Sequence, residues 1–141
     1  MKWTEMQEKA VIYPVKDILV AAAAGSGKTQ VLTGRILNRI TKDKADISKM
    51  LVITFTNAAA AEMRGRISKK IADAVADNPK NRHLRRQLAM VGSSDISTIH
   101  SFCLNVLKSY FYIPDIDPSF KIAEVYDINI MKAEALSEAM D

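Results

Sequence analysis

Residues 18–30 read Ile-Leu-Val-Ala-Ala-Ala-Ala-Gly-Ser-Gly-Lys-Thr-Gln, an apolar run that passes into a turn of small residues. Residues 18–20 predict a buried strand, and the apolar positions that follow residue 30 predict a helix to about residue 40. Residues 22–29 fit the phosphate-binding pattern G-x-x-x-x-G-K-[ST], with alanine at the first glycine position. The stretch therefore predicts a strand, a phosphate-binding loop and a helix in succession.

The residue types in this loop suit a nucleoside triphosphate. Gly25 and Gly27 let backbone N–H groups turn towards an anion, and the N-terminus of the next helix adds partial positive charge. Lys28 can reach the β- and γ-phosphates, and the hydroxyl of Thr29 can bind Mg²⁺. A plain Gly-Ser turn with a surface lysine is the weaker interpretation, because a chance match is rare. A dinucleotide site is also weaker, because the third glycine is missing.

Length and composition suit a single globular domain. The chain has 141 residues, of which 48% are hydrophobic and 26% charged, and no apolar run approaches the roughly 20 residues of a membrane span. The N-terminus resembles a signal peptide, but acidic residues precede an apolar run of only seven residues, 18–24. That run is part of the phosphate-binding loop, so we expect a protein that is not secreted.

Charge is unevenly distributed along the chain, whose net charge is +4. Residues 61–90 are basic and residues 115–141 are acidic. The basic middle could face nucleic-acid phosphate, and it could equally be the solvated faces of two amphipathic helices. The single cysteine, Cys103, excludes an intramolecular disulfide and a cysteine-based metal cluster, and we expect it to be a small core residue.

The rest of the sequence predicts further helices and short strands. Apolar runs at 18–21 and 50–55, separated by a helix, predict a βαβ unit with parallel strands and a right-handed crossover. Capping residues, prolines and apolar stripes predict the other elements: a helix at 4–13, a helix from Thr56 or Asn57 to Asn78, a basic helix near 84–91, a strand at 96–99, a helix at 102–110 and a last helix from about 125.

Four stretches in a fixed order resemble the first motor domain of superfamily 1A DNA helicases, the UvrD/PcrA/RecB group. Trp3-Thr4-x-x-Gln7 is similar to the Q motif, residues 22–29 to motif I, residues 53–63 to motif Ia and residues 97–102 to motif Ib. The resemblance covers nearly the whole chain. It implies an α/β fold, a P-loop NTPase (RecA-like) parallel sheet flanked by helices. Residues 1–112 would form the N-terminal part of the ATP-binding subdomain 1A, and residues 113–141 the helical start of subdomain 1B.

The resemblance also implies roles for individual residues. Gln7 would hydrogen-bond the adenine edge of ATP, Lys28 and Thr29 would be catalytic, and Thr29 would reach Mg²⁺ through ATP. Gln30 departs from the UvrD branch, which often has an arginine there to stack on adenine. The implied ATP-binding set is Gln7, Ala22, Ala23, Ala24, Gly25, Ser26, Gly27, Lys28, Thr29 and Gln30. The implied DNA-binding set is Phe55, Thr56, Asn57, Arg64, Thr98, His100 and Ser101.

The residues themselves leave alternatives for the DNA-binding set. Phe55 could stack on a base or lie in the core. Thr56 and Asn57 could contact phosphate, cap a helix or do both. His100 could contact phosphate or be a structural histidine, and Arg64 could contact phosphate or be a solvated charge.

Within the group, the chain is most similar to the AddA branch, the helicase–nuclease subunits of recombinational-repair complexes. Ala58 stands where the UvrD branch has lysine, and residues 20–29 and 117–120 are also AddA-like. The resemblance implies an ATP-dependent 3′–5′ DNA helicase/nuclease of the bacterial cytoplasm that acts in double-strand break repair and recombination. It implies ATP and Mg²⁺ as cofactors. It also implies single- or double-stranded DNA and an AddB-type subunit in a heterodimer as partners, and no membrane.

Several parts that hydrolysis needs are not recognisable in this sequence. No predicted strand ends in Asp-Glu to hold Mg²⁺ and activate water, and no arginine finger is recognisable. We therefore expect an N-terminal segment of a longer protein that by itself lacks ATPase and nuclease activity. Two other functions stay open, a small P-loop kinase of a metabolite and a non-catalytic nucleic-acid-binding module.

Overall fold

The computed structural model describes residues 3–14, 17–23, 25–117 and 119–140. The chain divides into two compact units, residues 1–103 and residues 104–141. Within the described ranges, no helix is both long enough and apolar enough to cross a membrane. The predicted domain boundary between residues 112 and 113 stays a prediction.

Helices and a two-stranded sheet make up the first unit. The predicted helices and the strands near 50–55 and 96–99 are confirmed, with ends that shift by a few residues. In chain order the elements are α1 (Glu5–Ile12), α2 (Lys28–Thr41), β1 (Leu51–Thr54), α3 (Asn57–Asp77), α4 (Arg82–Met90), β2 (Asp95–Thr98) and α5 (Ile99–Ser109), with 3-10 turns at Ile47–Lys49 and Val91–Ser93.

The two strands run parallel. Leu51 lies opposite Asp95, and Thr54 lies opposite Thr98. Helices α3 and α4 connect the strands and supply the crossover that parallel pairing requires. Because both strands end in the same direction, their carboxyl ends, at Thr54 and Thr98, lie side by side.

The prediction of a buried strand at 18–20 is wrong. Residues 17–23 form no strand in the described structure, and Leu19 is 94% exposed. The predicted βαβ unit therefore has the wrong first member. A strand needs a neighbour for its N–H and C=O groups, and the described strands, β1 and β2, pair with each other. The apolar run has the composition of a strand but no partner in this part of the chain.

One hydrophobic core lies between the helices and one face of the sheet. The apolar stripe predicted for α3 is confirmed, because Met63, Ile67 and Ile71 are all buried. Gln87 is buried among the apolar side chains, where its Oε1 accepts a hydrogen bond from the N–H of Ile47 at 2.7 Å. The core consists of Ile36, Ile40, Ile47, Val52, Met63, Ile67, Ile71, Leu84, Val91 and Ile96.

Helix α6 (Val125–Met140) lies in the second unit and confirms the predicted last helix. No described residue of α5 or α6 is buried. The apolar stripe of α5, such as Val106 and Tyr110, is therefore exposed, and Cys103, which we expected in the core, is also exposed. Periodicity shows which face a helix would bury, but burial also requires another element to cover that face.

Helix α1 packs on α2 at the start of the first unit. Ala10 and Val11 of α1 form a small buried cluster with Val31 of α2. Nη1 of Arg35, on α2, donates to the carbonyls of Ala10 and Tyr13 at 2.9 and 3.0 Å. These contacts satisfy the C-terminal end of α1 and fix its position against α2.

Gly34 allows this close packing. A Cβ atom at Gly34 would lie 2.9 Å from a ring atom of Trp3 and 3.2 Å from a methyl carbon of Val11, whereas at Gly65, within α3, it would meet nothing within 4 Å. Alanine favours a helix over glycine by about 1 kcal/mol, but overpacking costs about 1–3 kcal/mol. We therefore expect Gly65→Ala to raise the free energy of unfolding and Gly34→Ala to lower it, as measured by urea denaturation. Equal stabilisation by both variants would contradict the packing of Trp3 on α2.

Candidate functional site

The loop before α2 has the backbone conformation that a phosphate-binding loop needs. Gly25 and Gly27 both adopt positive φ, at 75° and 84°, a region that side chains disfavour. A Cβ at Gly27 would also lie 3.2 Å from Nε2 of Gln7. Both glycines are thus required by backbone conformation, and Gly27 also by the close approach of Gln7.

Lys28 is the first residue of α2, and its side chain folds back over the loop. Its Nζ donates to the carbonyl oxygens of Ala22 and Ala23, both at 2.7 Å. The ammonium group is exposed to solvent together with these carbonyls. A cation in this position is available to phosphate oxygens, which are stronger acceptors than neutral carbonyls.

Gln7 joins α1 to the same loop. Its Oε1 accepts from the N–H of Thr4 at 3.0 Å while its own N–H donates to Oγ1 of Thr4 at 3.3 Å, which forms a capping box. Its Nε2 donates to the carbonyl of Ser26 at 3.1 Å. An amide has two donor hydrogens and an acceptor oxygen with two lone pairs, so one donor and one acceptor position of Gln7 remain for a ligand.

A cavity of about 550 Å³ lies between α1, the extended segment before the loop, and the loop itself. Gln7, Ser26 and Lys28 contribute its polar groups, and apolar side chains such as Leu19 and Val31 line the rest. A mostly apolar hollow with a few convergent polar groups is the usual form of a small-molecule site.

The other predicted nucleotide residues have differing surroundings. Thr29 lies in the first turn of α2 and is exposed, and Gln30 is half-buried. Gln30 and Thr33 face a second cavity of about 350 Å³ that is otherwise lined by Arg66, Lys69, Lys70 and Asp73 of α3. Ala24 lies outside the described residues.

Lys70 connects this second cavity to the segment before α1. Its Nζ lies 5.3 Å from the centre of the Trp3 ring, within the range of a cation–π contact. Partial burial lowers the pKa of Lys70, because removing an ammonium group from water disfavours its charged form.

Phe55 follows the last residue of β1 and is fully exposed, at 105% of its reference area. The core interpretation of Phe55 therefore does not hold for this structure. Thr56 caps α3 by accepting from the N–H of Ala59 at 3.1 Å, which confirms the predicted cap. An exposed ring next to a helix N-terminus can stack on a planar ligand while the helix end binds an anion.

Polar side chains from the ends of both strands meet beside Phe55. Oγ of Ser101 lies 2.9 Å from Oγ1 of Thr98 and donates to Oδ1 of Asn57 at 3.5 Å. The N–H of Ser101 donates to Oγ1 of Thr98 at 3.2 Å. We call Asn57, Thr98 and Ser101 the strand-end cluster. His100, one residue before Ser101, is exposed.

Arg64 lies in neither environment that the sequence suggested. It is half-buried, and its Nη2 donates to the carbonyl of Ile96, within β2, at 2.7 Å. Its Nε is buried and has no hydrogen-bond partner in the described structure. The solvated-charge interpretation is therefore wrong, because the guanidinium is directed at the backbone of a strand.

Sequence reasoning missed two contributors to the nucleotide loop. Arg35 holds α1 through backbone carbonyls, and the carbonyl of Ser26 receives the amide of Gln7. Neither contact has a local sequence pattern, because a carbonyl acceptor is present at every residue. The one available signal is that Arg35 lies next to buried Gly34 and Ile36 on a helix whose outer face is otherwise polar.

The fold and this loop together define an α/β protein with a candidate nucleotide-phosphate site and a polar cluster at the ends of parallel strands. Residues 3–141 match the UvrD/REP helicase N-terminal domain. The chain therefore belongs to the UvrD/REP helicase family.

Similar proteins in several bacteria carry one description. The chain is 49% identical to the AddA-type ATP-dependent helicase/nuclease subunit of Geobacillus thermodenitrificans and 48% identical to that of Bacillus licheniformis. It is 46% identical to that of Bacillus mycoides. Each match covers 99% of this chain but only 11–12% of the relative. The chain thus spans about one-ninth of the length of these relatives, and the resemblance to the AddA branch is confirmed.

Proposed function

We propose that this chain is the N-terminal ATP-binding segment of an ATP-dependent 3′–5′ DNA helicase/nuclease subunit of the AddA type. Such a protein would act in double-strand break repair and recombination in the bacterial cytoplasm, together with an AddB-type partner. The observation that carries the proposal is the convergence of Gln7 and Lys28 on one left-handed glycine loop. The names of the similar proteins support it. In this proposal residues 1–112 belong to a RecA-like motor subdomain and residues 113–141 begin a helical one.

At the nucleotide end, the residues would act on charge and position. Lys28 would exchange the carbonyls of Ala22 and Ala23 for the β- and γ-phosphate oxygens of ATP, where it would neutralise charge that develops during phosphoryl transfer. The free donor and acceptor of Gln7 match the two adjacent groups on the adenine edge. Since Gln7 also holds Ser26, base recognition and loop position share one side chain.

The donor set fits Mg²⁺ when it arrives with ATP. Among the described residues, no three His, Cys, Asp or Glu side chains are grouped to hold a metal. Thr29 offers one hydroxyl oxygen at the start of α2, which suits an ion that keeps waters and phosphate oxygens as its other ligands. Bound there, Mg²⁺ would supply positive charge to the phosphates.

At the strand ends, we propose a contact for single-stranded DNA. Phe55 would stack on a base, while Thr56, His100 and the strand-end cluster would contact phosphates near the N-termini of α3 and α5. Parallel strands direct these groups to the same edge, where α/β proteins commonly bind ligands. The carboxylate that activates water and the arginine finger would come from other parts of the protein.

The role of Lys28 predicts a loss of hydrolysis without a loss of DNA binding. In the proposed full-length protein, we expect Lys28→Ala to abolish DNA-stimulated ATPase activity, because the phosphates lose their cation. Lys42→Ala, which removes a lysine just beyond the other end of α2, serves as the matched control and should hydrolyse normally. Phosphate release and the anisotropy of labelled single-stranded DNA measure the two properties. Near-normal turnover in Lys28→Ala would refute the role of this residue.

The exposure of Phe55 predicts an effect on DNA affinity without an effect on stability. Stacking on a base is worth about 1–3 kcal/mol, so we expect Phe55→Leu to weaken binding of single-stranded DNA by about tenfold or more. Phe55→Trp should retain the affinity, because it keeps an aromatic face. Urea denaturation should give similar free energies of unfolding for all three proteins. Equal DNA affinity of the leucine and tryptophan variants would exclude stacking.

The segment by itself tests what the other parts supply. We expect the chain of 141 residues to bind ATP weakly and to show no sustained ATPase activity. Isothermal calorimetry would measure the first property and a phosphate-release assay the second. Robust turnover by the isolated segment would show that it contains a base for water activation, and phosphate transfer to a small acceptor would favour the kinase interpretation.

A further inference from the structure

We propose that Arg64 is a positioning residue for the strand-end cluster, and that it acts through the backbone of β2 rather than by contacting DNA phosphate. The inference rests on the proposed binding of single-stranded DNA at this edge. It assigns to a single guanidinium the task of holding two elements, α3 and β2, in register where the DNA would lie.

Arg64 crosses from α3 to the backbone of β2. Its Nη2 donates to the carbonyl of Ile96 at 2.7 Å, a short bond of the kind that charged donors form. Ile96 is only 1% exposed, so this carbonyl has little access to water. The same carbonyl lies on the strand that ends two residues later, at Thr98.

The rest of the side chain supports this assignment. Nε of Arg64 is buried without a partner in the described structure, a desolvation cost that a merely solvated arginine would not incur. Arg66, two residues along the same helix, shows the contrast. Its side chain is 50% exposed and pairs with Glu62 on the helix surface. Arg64 therefore accepts a desolvation cost in exchange for a fixed position.

A short series of contacts leads from Arg64 to the cluster. Ile96 is followed in β2 by Ser97 and Thr98, and Thr98 binds the N–H and hydroxyl of Ser101. Ser101 in turn reaches Asn57 at the start of α3. Arg64 and Asn57 lie on the same helix, so the two contacts hold β2 to α3 at two separate points. Loss of the first contact would let the end of β2 shift relative to Asn57.

Salt dependence separates positioning from a phosphate contact. In the proposed full-length protein, we expect Arg64→Met to weaken binding of a labelled oligothymidylate by about tenfold, the cost of a buried charged hydrogen bond. The slope of log affinity against log salt concentration should equal that of the wild type. A lost phosphate contact would instead reduce this slope by about 0.7. Arg66→Met, which removes the same charge from the same helix, reports the effect of charge alone.

A double-mutant cycle tests whether Arg64 acts through the cluster. If it does, Arg64→Met and Ser101→Ala disrupt the same arrangement, and the double variant should bind DNA little worse than the weaker single variant. A general loss of stability, or an independent contact, would make the two effects multiply. The cycle of Arg66→Met with Ser101→Ala should show such multiplication.

Amide hydrogen exchange gives a result that does not depend on DNA. We expect Arg64→Met to speed exchange at residues 96–101 while leaving α2 and α4 unchanged, and Arg66→Met to leave all three regions unchanged. Unchanged exchange at residues 96–101, a reduced salt slope or multiplied effects would each overturn the proposal. If the wild-type protein does not bind the oligothymidylate, the proposed DNA contact fails, and the exchange result still decides the role of Arg64.

Discussion

The nucleotide site depends on the two hydrogen bonds from the ammonium of Lys28 to the carbonyls of Ala22 and Ala23. Two left-handed glycines allow the chain to turn so tightly that the first residue of a helix reaches back over its own loop. Neutral carbonyls are weaker acceptors for an ammonium group than charged phosphate oxygens. The loop therefore keeps its cation in place with contacts that a triphosphate can replace, and it need not be rebuilt when the ligand arrives.

Position is the second requirement of this site, and α1 supplies it. Gln7 holds the carbonyl of Ser26, and α1 itself is held on α2 by Arg35 and by close packing at Gly34. The base-recognising side chain and the phosphate-binding helix are thus parts of one packed unit. A shift of α1 by even a small distance would move Gln7 relative to the loop, since tightly packed helices cannot deform gradually.

Local patterns predict most of the elements, and long-range contacts account for what the sequence does not predict. Thr4 and Thr56 are predictable as helix caps because a cap acts on residues within one turn. The predicted burial of residues 18–20 is wrong because a strand depends on a neighbour that can come from anywhere in the chain. The exposure of Phe55 does not follow from its type. The role of Arg64 is undetermined by sequence for the same reason, because its partner, the carbonyl of Ile96, leaves no trace in the sequence.

The exposed apolar positions follow from the same physical argument. On β1, Val52 is buried against the helices, while Leu51 and Ile53 on the opposite face are exposed at 49% and 41%. Parallel sheets are normally covered on both faces, and each side chain of this kind gains about 1.5–3 kcal/mol when it is buried. Residues 18–20 have the same apolar character and the same exposure. The sequence therefore specifies more burial than the described residues provide, and this is expected where a segment matches about one-ninth of the length of its relatives.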